Sequence, residues 1–227
     1  MKLFIDDADV REIRRLMELY PIDGVTTNPA ILAKAGRHPK EVLLEIRALI
    51  GENRQLFAQV IPQDAEGMAE DGRAIADLLG KNTVVKIPAV PEGFRAIRIL
   101  NGEGVLTCGT VVYTPLQALL AAKAGADYVA PYVNRIDNMG YDGVGTVKKI
   151  QDILSVHHLK TEILAASFKN SGQVLELCAY GVGSATCAPD VIDAFVRNPA
   201  IDAAAEDFRR RFAGAFGEGA TMASLLI

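Results

Sequence analysis

A single lysine stands within an otherwise apolar, strand-like segment, residues 83–88 with the sequence TVVKIP. An ammonium group is costly to bury, so Lys86 must be paired there or lose its proton more easily than a free lysine. A lysine amine of that kind is the nucleophile that forms Schiff bases with carbonyl substrates. Alternation along a strand puts Val84 and Lys86 on one face and Val85 and Ile87 on the other. The alternative is that Lys86 only ends the strand and reaches solvent or a carboxylate.

The other side chains that could do chemistry lie at or near the ends of further strand-like segments. They are Asp6, Asn28, Gln59, Thr110, Tyr132, Asn134, Arg135, Ser167 and Lys169. In a barrel of parallel strands the carboxyl ends of all strands meet at one rim, where barrel enzymes have their active sites. Because an empty rim needs no such set of polar groups, the sequence indicates a site there.

Each of these residues also has a purely structural interpretation. Asp6 could help to cap the first helix, and Asn28, which precedes a proline, could start the second. Gln59 could be a satisfied core amide, and Arg135 could pair with Asp137. Taken singly, these interpretations are at least as good as the functional ones. Only the shared rim favours a site.

Strand-like and amphipathic helical segments alternate from one end of the chain to the other. We predict strands at Leu3–Ile5, Gly24–Thr26, Leu56–Val60, Thr83–Ile87, Val105–Val112, Tyr128–Val133, Glu162–Ala166 and Gly183–Cys187. We predict helices at about 9–20, 30–35, 39–50, 64–79, 92–100, 115–124, 145–157 and 171–180, with another opening at residue 189. Eight strands, each followed by a helix, predict an α/β fold of the (β/α)₈ TIM-barrel type rather than an open doubly wound sheet. No Gly-x-Gly-x-x-Gly follows the first strand, which weakens the dinucleotide-binding alternative.

The end of the chain contains more than a barrel needs. We predict a barrel catalytic domain at residues 1–201, followed at residues 202–227 by an additional C-terminal helix and an apolar tail. The helix covers about 202–216, and residues 217–219 (GEG) break it before the apolar residues 222–227 (MASLLI). Such a tail is either a frayed end or a segment that docks on a neighbouring subunit, and we favour the second.

Composition limits the classes of partner and compartment. The chain has 227 residues, half of them hydrophobic, which suits a single barrel. A formal net charge of -4 argues against nucleic-acid or membrane-surface partners, so an anionic substrate would need local positive charge. The apolar run before Asp6 is too short for a signal peptide, and no run approaches the length of a membrane span. Three cysteines without metal-ligand spacing fit buried thiols in a reducing cytoplasm.

Metal and triad chemistries find little support in the sequence. The three histidines, His38, His157 and His158, provide no zinc ligand set, and no Ser/His/Asp or Cys/His arrangement is suggested. A magnesium site on Asp6 stays open, but a second suitable carboxylate on the rim is missing. We therefore expect no metal, and lysine chemistry remains.

Several motifs carry a resemblance to a known family. They are residues 24–29 (GVTTNP), 57–60 (FAQV), 84–88 (VVKIP), 92–93 (EG) and 130–137 (APYVNRID). From Met1 to about Phe216 the chain resembles the small-subunit transaldolase family, and within it the fructose-6-phosphate aldolases. The resemblance implies a class I enzyme of cytoplasmic carbohydrate metabolism, such as the pentose phosphate pathway, with neither metal nor cofactor. It further implies a homodecamer of two pentamers in which the C-terminal helix crosses to a neighbour.

The same resemblance implies the catalytic residues. Lys86 matches the Schiff-base lysine, which attacks the C2 ketone of fructose 6-phosphate; the C3–C4 bond then breaks and leaves a dihydroxyacetone enamine. Gln59, Thr110 and Tyr132 match residues that hold the catalytic water or transfer the proton. Transaldolases resemble a version with glutamate at position 59 and phenylalanine at position 132, so this chain favours the aldolase.

The resemblance also implies the substrate-binding residues. Asp6 and Asn28 match residues that bind the dihydroxyacetone hydroxyls and form the lysine environment. Arg135 and Ser167 match the phosphate-binding pair, in keeping with the preference of guanidinium for phosphate. The partners would be small sugar phosphates. Cys108 departs from the family pattern, because the aldolases usually have a larger aliphatic residue there.

Two other functions stay open at this point. One is a transaldolase that transfers dihydroxyacetone between aldose phosphates. The other is a non-catalytic phosphosugar-binding barrel, in which Lys86 would only neutralise the ligand. Reduction by borohydride separates the two classes, because only an iminium is converted to a permanent adduct.

Overall fold

Eight parallel strands form a closed barrel in the computed structural model, which describes residues 1–226. The strands are β1 (Lys2–Asp6), β2 (Gly24–Thr26), β3 (Gln55–Gln59), β4 (Thr83–Pro88), β5 (Leu106–Val112), β6 (Tyr128–Pro131), β7 (Glu162–Ala165) and β8 (Ser184–Cys187). Each strand pairs with the next one along the chain, and β1 pairs with β8. The predicted (β/α)₈ barrel is confirmed, and the strand boundaries differ from the predicted ones by at most two residues.

Helices alternate with these strands along the chain. They are α1 (Val10–Leu19), α2 (Pro29–Lys34), α3 (Pro39–Ile50), α4 (Ala65–Leu79), α5 (Pro91–Gly102), α6 (Pro115–Lys123), α7 (Val133–Asn138), α8 (Gly143–Val156), α9 (Ser171–Tyr180), α10 (Pro189–Asp193), α11 (Pro199–Phe216) and α12 (Met222–Leu225). Side chains of Asp9, Asp64, Thr114 and Asn170 cap α1, α4, α6 and α9. A proline in the first turn opens six of the helices, where its missing N–H costs no hydrogen bond.

Helices α7 and α12 were not predicted, and α11 begins earlier than predicted. Residues 128–133 read as one continuous strand, but the amides of Val133 and Asn134 donate to the carbonyls of Ala166 and Ser167 as the chain turns into α7. Pairing with the end of β7 therefore continues while the helix starts, which a local pattern does not reveal. Helix α11 begins at Pro199 rather than at residue 202, because the side chain of Asn198 caps it.

Helix α5 packs directly against the end of the strand that carries Lys86. A Cβ atom on Gly93 would lie 1.9 Å from the carbonyl oxygen of Pro88, so any side chain there would push α5 away from β4. The neighbouring Glu92 accepts a hydrogen bond from the amide of Ala65 (3.1 Å), which ties the start of α4 to α5. The Glu-Gly motif therefore has a structural function.

The core has an outer shell and an inner layer. Two apolar clusters fill the space between the strands and the helices. A third cluster fills the inside of the barrel and contains Phe4, Phe57, Val84, Cys108, Tyr128, Ala130 and Leu164. Within it the rings of Phe4, Phe57 and Tyr128 follow one another edge to face at 5.3 Å. We call this set the inner apolar layer; it makes the barrel a packed core rather than a pore.

The chain divides into two compact units, Met1–Ile192 and a second unit that begins at Asp193. In the second unit α11 has no buried residue, and Phe208 and Phe216 are exposed. Gly217, with a φ of 99°, ends this helix at the predicted break. The domain boundary at 201/202 stays a prediction. The last residue of the predicted apolar tail, Ile227, lies outside the described residues.

The cysteines differ from the expectation of three buried thiols. Cys108 and Cys187 are buried, but Cys178 is exposed, so the expectation was wrong for that residue. Burial raises the pKa of both the Cys108 and the Cys187 thiol to about 12. Both buried side chains are therefore uncharged thiols at neutral pH.

Candidate active site

A ring of polar residues lies next to the inner apolar layer, on the side of the carboxyl ends of the strands. Because side chains alternate along a strand, residues two positions after the inner apolar ones point into the same space. This polar ring contains Asp6, Thr26, Gln59, Lys86, Thr110 and Thr186. The predicted alternation on β4 is confirmed: Val84 is in the inner apolar layer, and Val85 and Ile87 are in the outer shell.

Lys86 is almost completely buried within this ring. Lys86 is only 3% exposed, and its Nζ donates to the carbonyl oxygen of Thr27 at 3.0 Å. The interpretation in which Lys86 reaches solvent is therefore wrong, and its hydrogen-bond partner is a main-chain carbonyl rather than a carboxylate. Gln59 stands directly beside Lys86 in the β3–β4 pairing. A buried amine beside an amide side chain is an arrangement suited to nucleophilic attack on a carbonyl.

Thr110 and Tyr132 form a pair of hydroxyl groups on the same rim. Their oxygens lie 3.0 Å apart, and both residues are buried. The amide of Tyr132 donates to the carbonyl of Val112 at 3.1 Å, and this hydrogen bond ties the main chain of Tyr132 to the end of β5. Two coupled hydroxyls of this kind can pass a proton or orient a water molecule.

Asp6 is the carboxylate of the polar ring. The hydroxyl of Thr26 donates to Asp6 at 2.8 Å and lies 2.6 Å from the hydroxyl of Thr186. Since Thr26 gives its proton to Asp6, it accepts the proton of Thr186, and the direction of the chain is fixed. Burial raises the pKa of Asp6, while the charges of Lys86 and Arg135 and the Thr26 hydrogen bond lower it by less. The cap of α1 is Asp9 and not Asp6.

We expect Asp6→Asn to raise the thermal stability at neutral pH. The pKa of Asp6 is higher in the folded protein than in the unfolded chain, where it is near 3.8. Below pH 3.8 the carboxyl is therefore neutral in the folded and in the unfolded protein and has no effect on stability. As the pH rises through the folded-state pKa, the buried charge forms and destabilises the fold. Asparagine keeps the acceptor oxygen for Thr26 and removes the buried charge. Melting curves from pH 3 to 8 should show a difference between variant and wild type that grows with pH, and a difference that shrinks would contradict the assignment. Asp7→Asn, next along the chain, is the matched control.

Asn28 serves both as a helix cap and as a rim residue. Its side-chain oxygen accepts from the amide of Ile31 at 3.0 Å, so the structural interpretation of Asn28 is confirmed. The side-chain amide nitrogen is the group that it can offer to a ligand. Because Asn28 directly follows Thr27, whose carbonyl receives Lys86, it stands next to the lysine.

Arg135, on α7, packs against the rim tyrosines rather than against Asp137. Its guanidinium carbon lies 4.7 Å from the centroid of the Tyr132 ring, and it forms a hydrogen bond with Tyr113 that raises its pKa. Asp137 instead accepts from the amide of Gly143 and from the side chain of Gln173. A cation is therefore held at the barrel mouth for an anionic group.

Ser167, two residues after β7, has a left-handed conformation with a φ of 61°, which is uncommon for a residue other than glycine. Its carbonyl accepts from the amide of Asn134 at 2.7 Å, so it is tied to the helix that carries Arg135. Lys169, two residues on, is exposed.

Three residues that contact the site were not predicted from the sequence. Thr26 and Thr186 complete the hydroxyl chain to Asp6, and Tyr113 contacts both Tyr132 and Arg135. Alternation could have pointed to Thr26, which precedes Asn28 by two positions in a strand. The position of Tyr113 depends on a bulge in β5, which no local pattern revealed.

A cavity of about 1050 Å³ adjoins Asp6 on the outer side of the rim. It is lined by residues of α1, α2 and α3 and includes Arg11, Arg14, Lys34 and Arg37. Acidic residues alternate with these basic ones, among them Asp7, Glu12 and Glu45. Lys86 does not line this cavity.

Within the described residues 1–226, no cluster of three or more histidine, cysteine, aspartate or glutamate side chains could hold a metal ion. No helix in the same range is long and apolar enough to cross a membrane.

Known proteins resemble this chain in fold and in family. A variant of flavocytochrome b2 is 10% identical, with a TM-score of 0.59 over 83% of this chain, and the chain spans 56% of that protein's length. A cube-shaped protein cage designed by fusing symmetric oligomeric domains is 14% identical, with a TM-score of 0.61 over 100% of this chain and 82% of the cage chain. At these identities the likeness shows the fold alone. The family model described as transaldolase/fructose-6-phosphate aldolase matches residues 3–226. With nearly its whole length matched, the chain belongs to the transaldolase/fructose-6-phosphate aldolase family.

Proposed function

We propose that this protein is a class I aldolase that cleaves fructose 6-phosphate to dihydroxyacetone and glyceraldehyde 3-phosphate, and forms it again, through a Schiff base on Lys86. The observation that carries the proposal is the burial of Lys86 in the polar ring, where its Nζ donates to the Thr27 carbonyl at 3.0 Å. Family membership supports an aldolase or transaldolase activity in general.

The first step joins Lys86 to the ketone. Neutral Nζ attacks C2, the carbonyl oxygen takes a proton, and the carbinolamine loses water to give an iminium. The iminium carries a positive charge at the position of Nζ, where the nearby carboxylate of Asp6 can stabilise it. Gln59, beside Lys86, is suited to hold the water that leaves and later returns.

The second step breaks the C3–C4 bond. A base removes the proton of the C4 hydroxyl, the C4–O electrons form the aldehyde, and the bonding pair moves through C3 to neutralise the iminium nitrogen. Glyceraldehyde 3-phosphate leaves, and the enamine remains on Lys86. Protonation of C3 and attack of water on C2 then release dihydroxyacetone. The Thr110–Tyr132 hydroxyl pair is the proton-transfer group that we assign to these steps.

The third element of the proposal is phosphate recognition by Arg135 with Ser167. The guanidinium is carried by α7, which follows the carboxyl end of β6, and it lies over the ring of Tyr132. Asn28 and Asp6 would bind the hydroxyl groups of the dihydroxyacetone part. The net negative charge of the chain makes such a local cation necessary for an anionic substrate.

Arg135→Ala should weaken the binding of phosphorylated aldehydes far more than the binding of neutral ones. A charged hydrogen bond is worth roughly 1.5–3 kcal/mol, which corresponds to about ten- to a hundredfold in apparent affinity. The measurement is KM for glyceraldehyde 3-phosphate and for glyceraldehyde, with dihydroxyacetone as donor. Lys169→Ala removes an exposed charge from the same rim and should change neither value. Equal losses for both aldehydes in Arg135→Ala would assign Arg135 to structure.

The runner-up is a transaldolase, in which the enamine attacks an aldose phosphate instead of taking a proton. Gln59 and Tyr132 favour the aldolase, because the transaldolases resemble a version with glutamate and phenylalanine at these positions. A non-catalytic phosphosugar-binding barrel is a poorer explanation, because binding a sugar phosphate does not require a lysine that is buried away from solvent. The test is release of glyceraldehyde 3-phosphate from fructose 6-phosphate with and without erythrose 4-phosphate, together with borohydride trapping. Release that requires erythrose 4-phosphate would favour the transaldolase, and absence of an adduct would remove both enzymes.

We further propose that the protein is a cytoplasmic homo-oligomer, a decamer, in which residues 202–227 dock on a neighbouring subunit. Helix α11 has no buried residue, and Phe208 and Phe216 are exposed on it. Burial of a phenylalanine side chain stabilises an assembly by about 1.5–3 kcal/mol. Two or three such side chains are enough to favour docking.

Phe208→Glu should therefore reduce the size of the assembly. Phe208 is 72% exposed, so the substitution costs the isolated subunit little, but a charge in an apolar interface is costly. Sedimentation velocity should show a smaller species with the circular dichroism of the wild type. Leu175→Glu on α9, at a similar 68% exposure, is the matched control and should keep the assembly. An unchanged assembly in Phe208→Glu would mean that α11 does not hold subunits together.

A further inference from the structure

The last residues of β5 have an unusual backbone. The pairing of β5 with β6 shifts register between Gly109 and Val112, and Val111 has a φ of 60°. The left-handed region is seldom adopted by a β-branched residue. Strained conformations of this kind persist where neighbouring contacts fix them, and they cluster at functional sites.

The side chain of Gln117, in the first turn of α6, supplies those contacts. Its Oε1 accepts from the amides of Tyr113 (3.0 Å) and Thr114 (3.2 Å). Its Nε2 donates to the carbonyls of Ala89 (3.1 Å) and Val111 (3.4 Å). Because Ala89 directly follows β4, the side-chain amide of Gln117 joins the end of β4 to the end of β5. It also holds the backbone amide of Tyr113 and so fixes the position from which the Tyr113 side chain extends.

The Tyr113 side chain touches two residues of the proposed site. Its ring meets the ring of Tyr132 edge to face, with centroids 5.7 Å apart and an interplanar angle of 82°. Its hydroxyl accepts a hydrogen bond from Arg135, whose guanidinium also lies over the face of Tyr132. Arg135 is exposed, and a long exposed arginine loses much side-chain entropy when it is held in one place. These two contacts restrict it before a ligand arrives.

We propose that Tyr113, fixed by Gln117, is a positioning residue that holds Arg135 over Tyr132 and so sets the selectivity for phosphorylated aldehydes. The inference rests on the proposed function, in which Arg135 binds phosphate. A guanidinium offers a planar fork of N–H donors, and a phosphate gains both charge and geometry when that fork is already oriented. Tyr113 acts through Arg135 and needs no contact with the substrate.

Tyr113→Phe tests the inference, because it removes one hydroxyl and keeps the ring. With dihydroxyacetone as donor, the ratio of kcat/KM for glyceraldehyde 3-phosphate to kcat/KM for glyceraldehyde should fall about tenfold, as expected for one mis-oriented charged hydrogen bond. Gln117→Leu removes the contacts that fix the loop and should lower the same ratio. The double variant should lower it by no more than about twofold beyond the larger single effect, because both changes act on one guanidinium.

Leu116→Ala is the matched control in the first turn of the same helix. Leu116 is 65% exposed, so the ratio should stay within about twofold of wild type. An unchanged ratio in both Tyr113→Phe and Gln117→Leu, or an equal loss in Leu116→Ala, would overturn the inference. Borohydride trapping of dihydroxyacetone needs no phosphate and tests the proposed function separately. Absence of that adduct in the wild type defeats the proposed function, whereas an adduct with an unchanged ratio defeats only the inference about Tyr113.

Discussion

Lys86→Ala should abolish the borohydride-trapped adduct with fructose 6-phosphate and lower turnover by about four orders of magnitude or more, as expected when a covalent nucleophile is removed. Lys86 is the lysine buried in the polar ring, and its Nζ is held by the Thr27 carbonyl rather than by a carboxylate. The fold should survive, because the inner apolar layer below the lysine is untouched. The measurements are intact-protein mass after reduction, aldehyde release, and thermal melting by circular dichroism.

Two further variants make this result decisive. Lys86→Met keeps the length of the side chain without the amine, so it separates loss of the nucleophile from loss of packing. Lys2 stands at the opposite end of the barrel, where it contacts Tyr128 and Glu162, and Lys2→Met should leave trapping as in wild type. An adduct of wild-type mass in both Lys86 variants would show that another residue forms the Schiff base.

Tyr132→Phe should lower fructose 6-phosphate cleavage by about two to three orders of magnitude, which is the usual size of a proton-transfer contribution. The change removes one hydroxyl, 3.0 Å from that of Thr110, and leaves the ring that packs against Tyr113 and Arg135. An enamine that is no longer protonated efficiently lives longer and is captured more often by an aldehyde. The ratio of transfer to erythrose 4-phosphate over cleavage should therefore rise.

The double variant Tyr132→Phe with Gln59→Glu should raise that ratio further. Gln59 stands beside Lys86 in the β3–β4 pairing, and a glutamate there changes the group that holds water near the Schiff base. Thr110→Val removes the other hydroxyl of the proton-transfer pair and leaves the tyrosine, so it should shift the ratio in the same direction. If the ratio in the double variant equals that of wild type, partition between the two reactions is controlled elsewhere in the site.

The barrel could be predicted from sequence because its signals are local. Alternation on β4 was enough to separate the inward Val84 and Lys86 from the outward Val85 and Ile87. The same argument brought Asp6, Gln59 and Thr110 to one rim, since parallel strands end at one edge. Resemblance to a family then supplied roles that residue types alone left open.

The remaining features depend on contacts between distant parts of the chain. Helix α7 begins where Val133 bonds to the end of β7, more than thirty residues later in the sequence. Thr186 enters the site only because β8 closes against β1, which brings it to Thr26. Tyr113 reaches Arg135 only through a bulge in β5. None of these contacts leaves a mark on the local hydrophobic pattern.

The inner apolar layer fixes the order in which the two products of the proposed reaction leave. Phe4, Phe57 and Tyr128 close the barrel below Lys86, so substrate, water and both products share one entrance. The aldehyde half departs while the ketone half is still bonded to the lysine, and it vacates the outer part of that entrance. Water and a second aldehyde then compete for the same vacated space. Added aldehyde should therefore slow net cleavage by recapturing the enamine, and the outcome of each turnover depends on which molecule enters first.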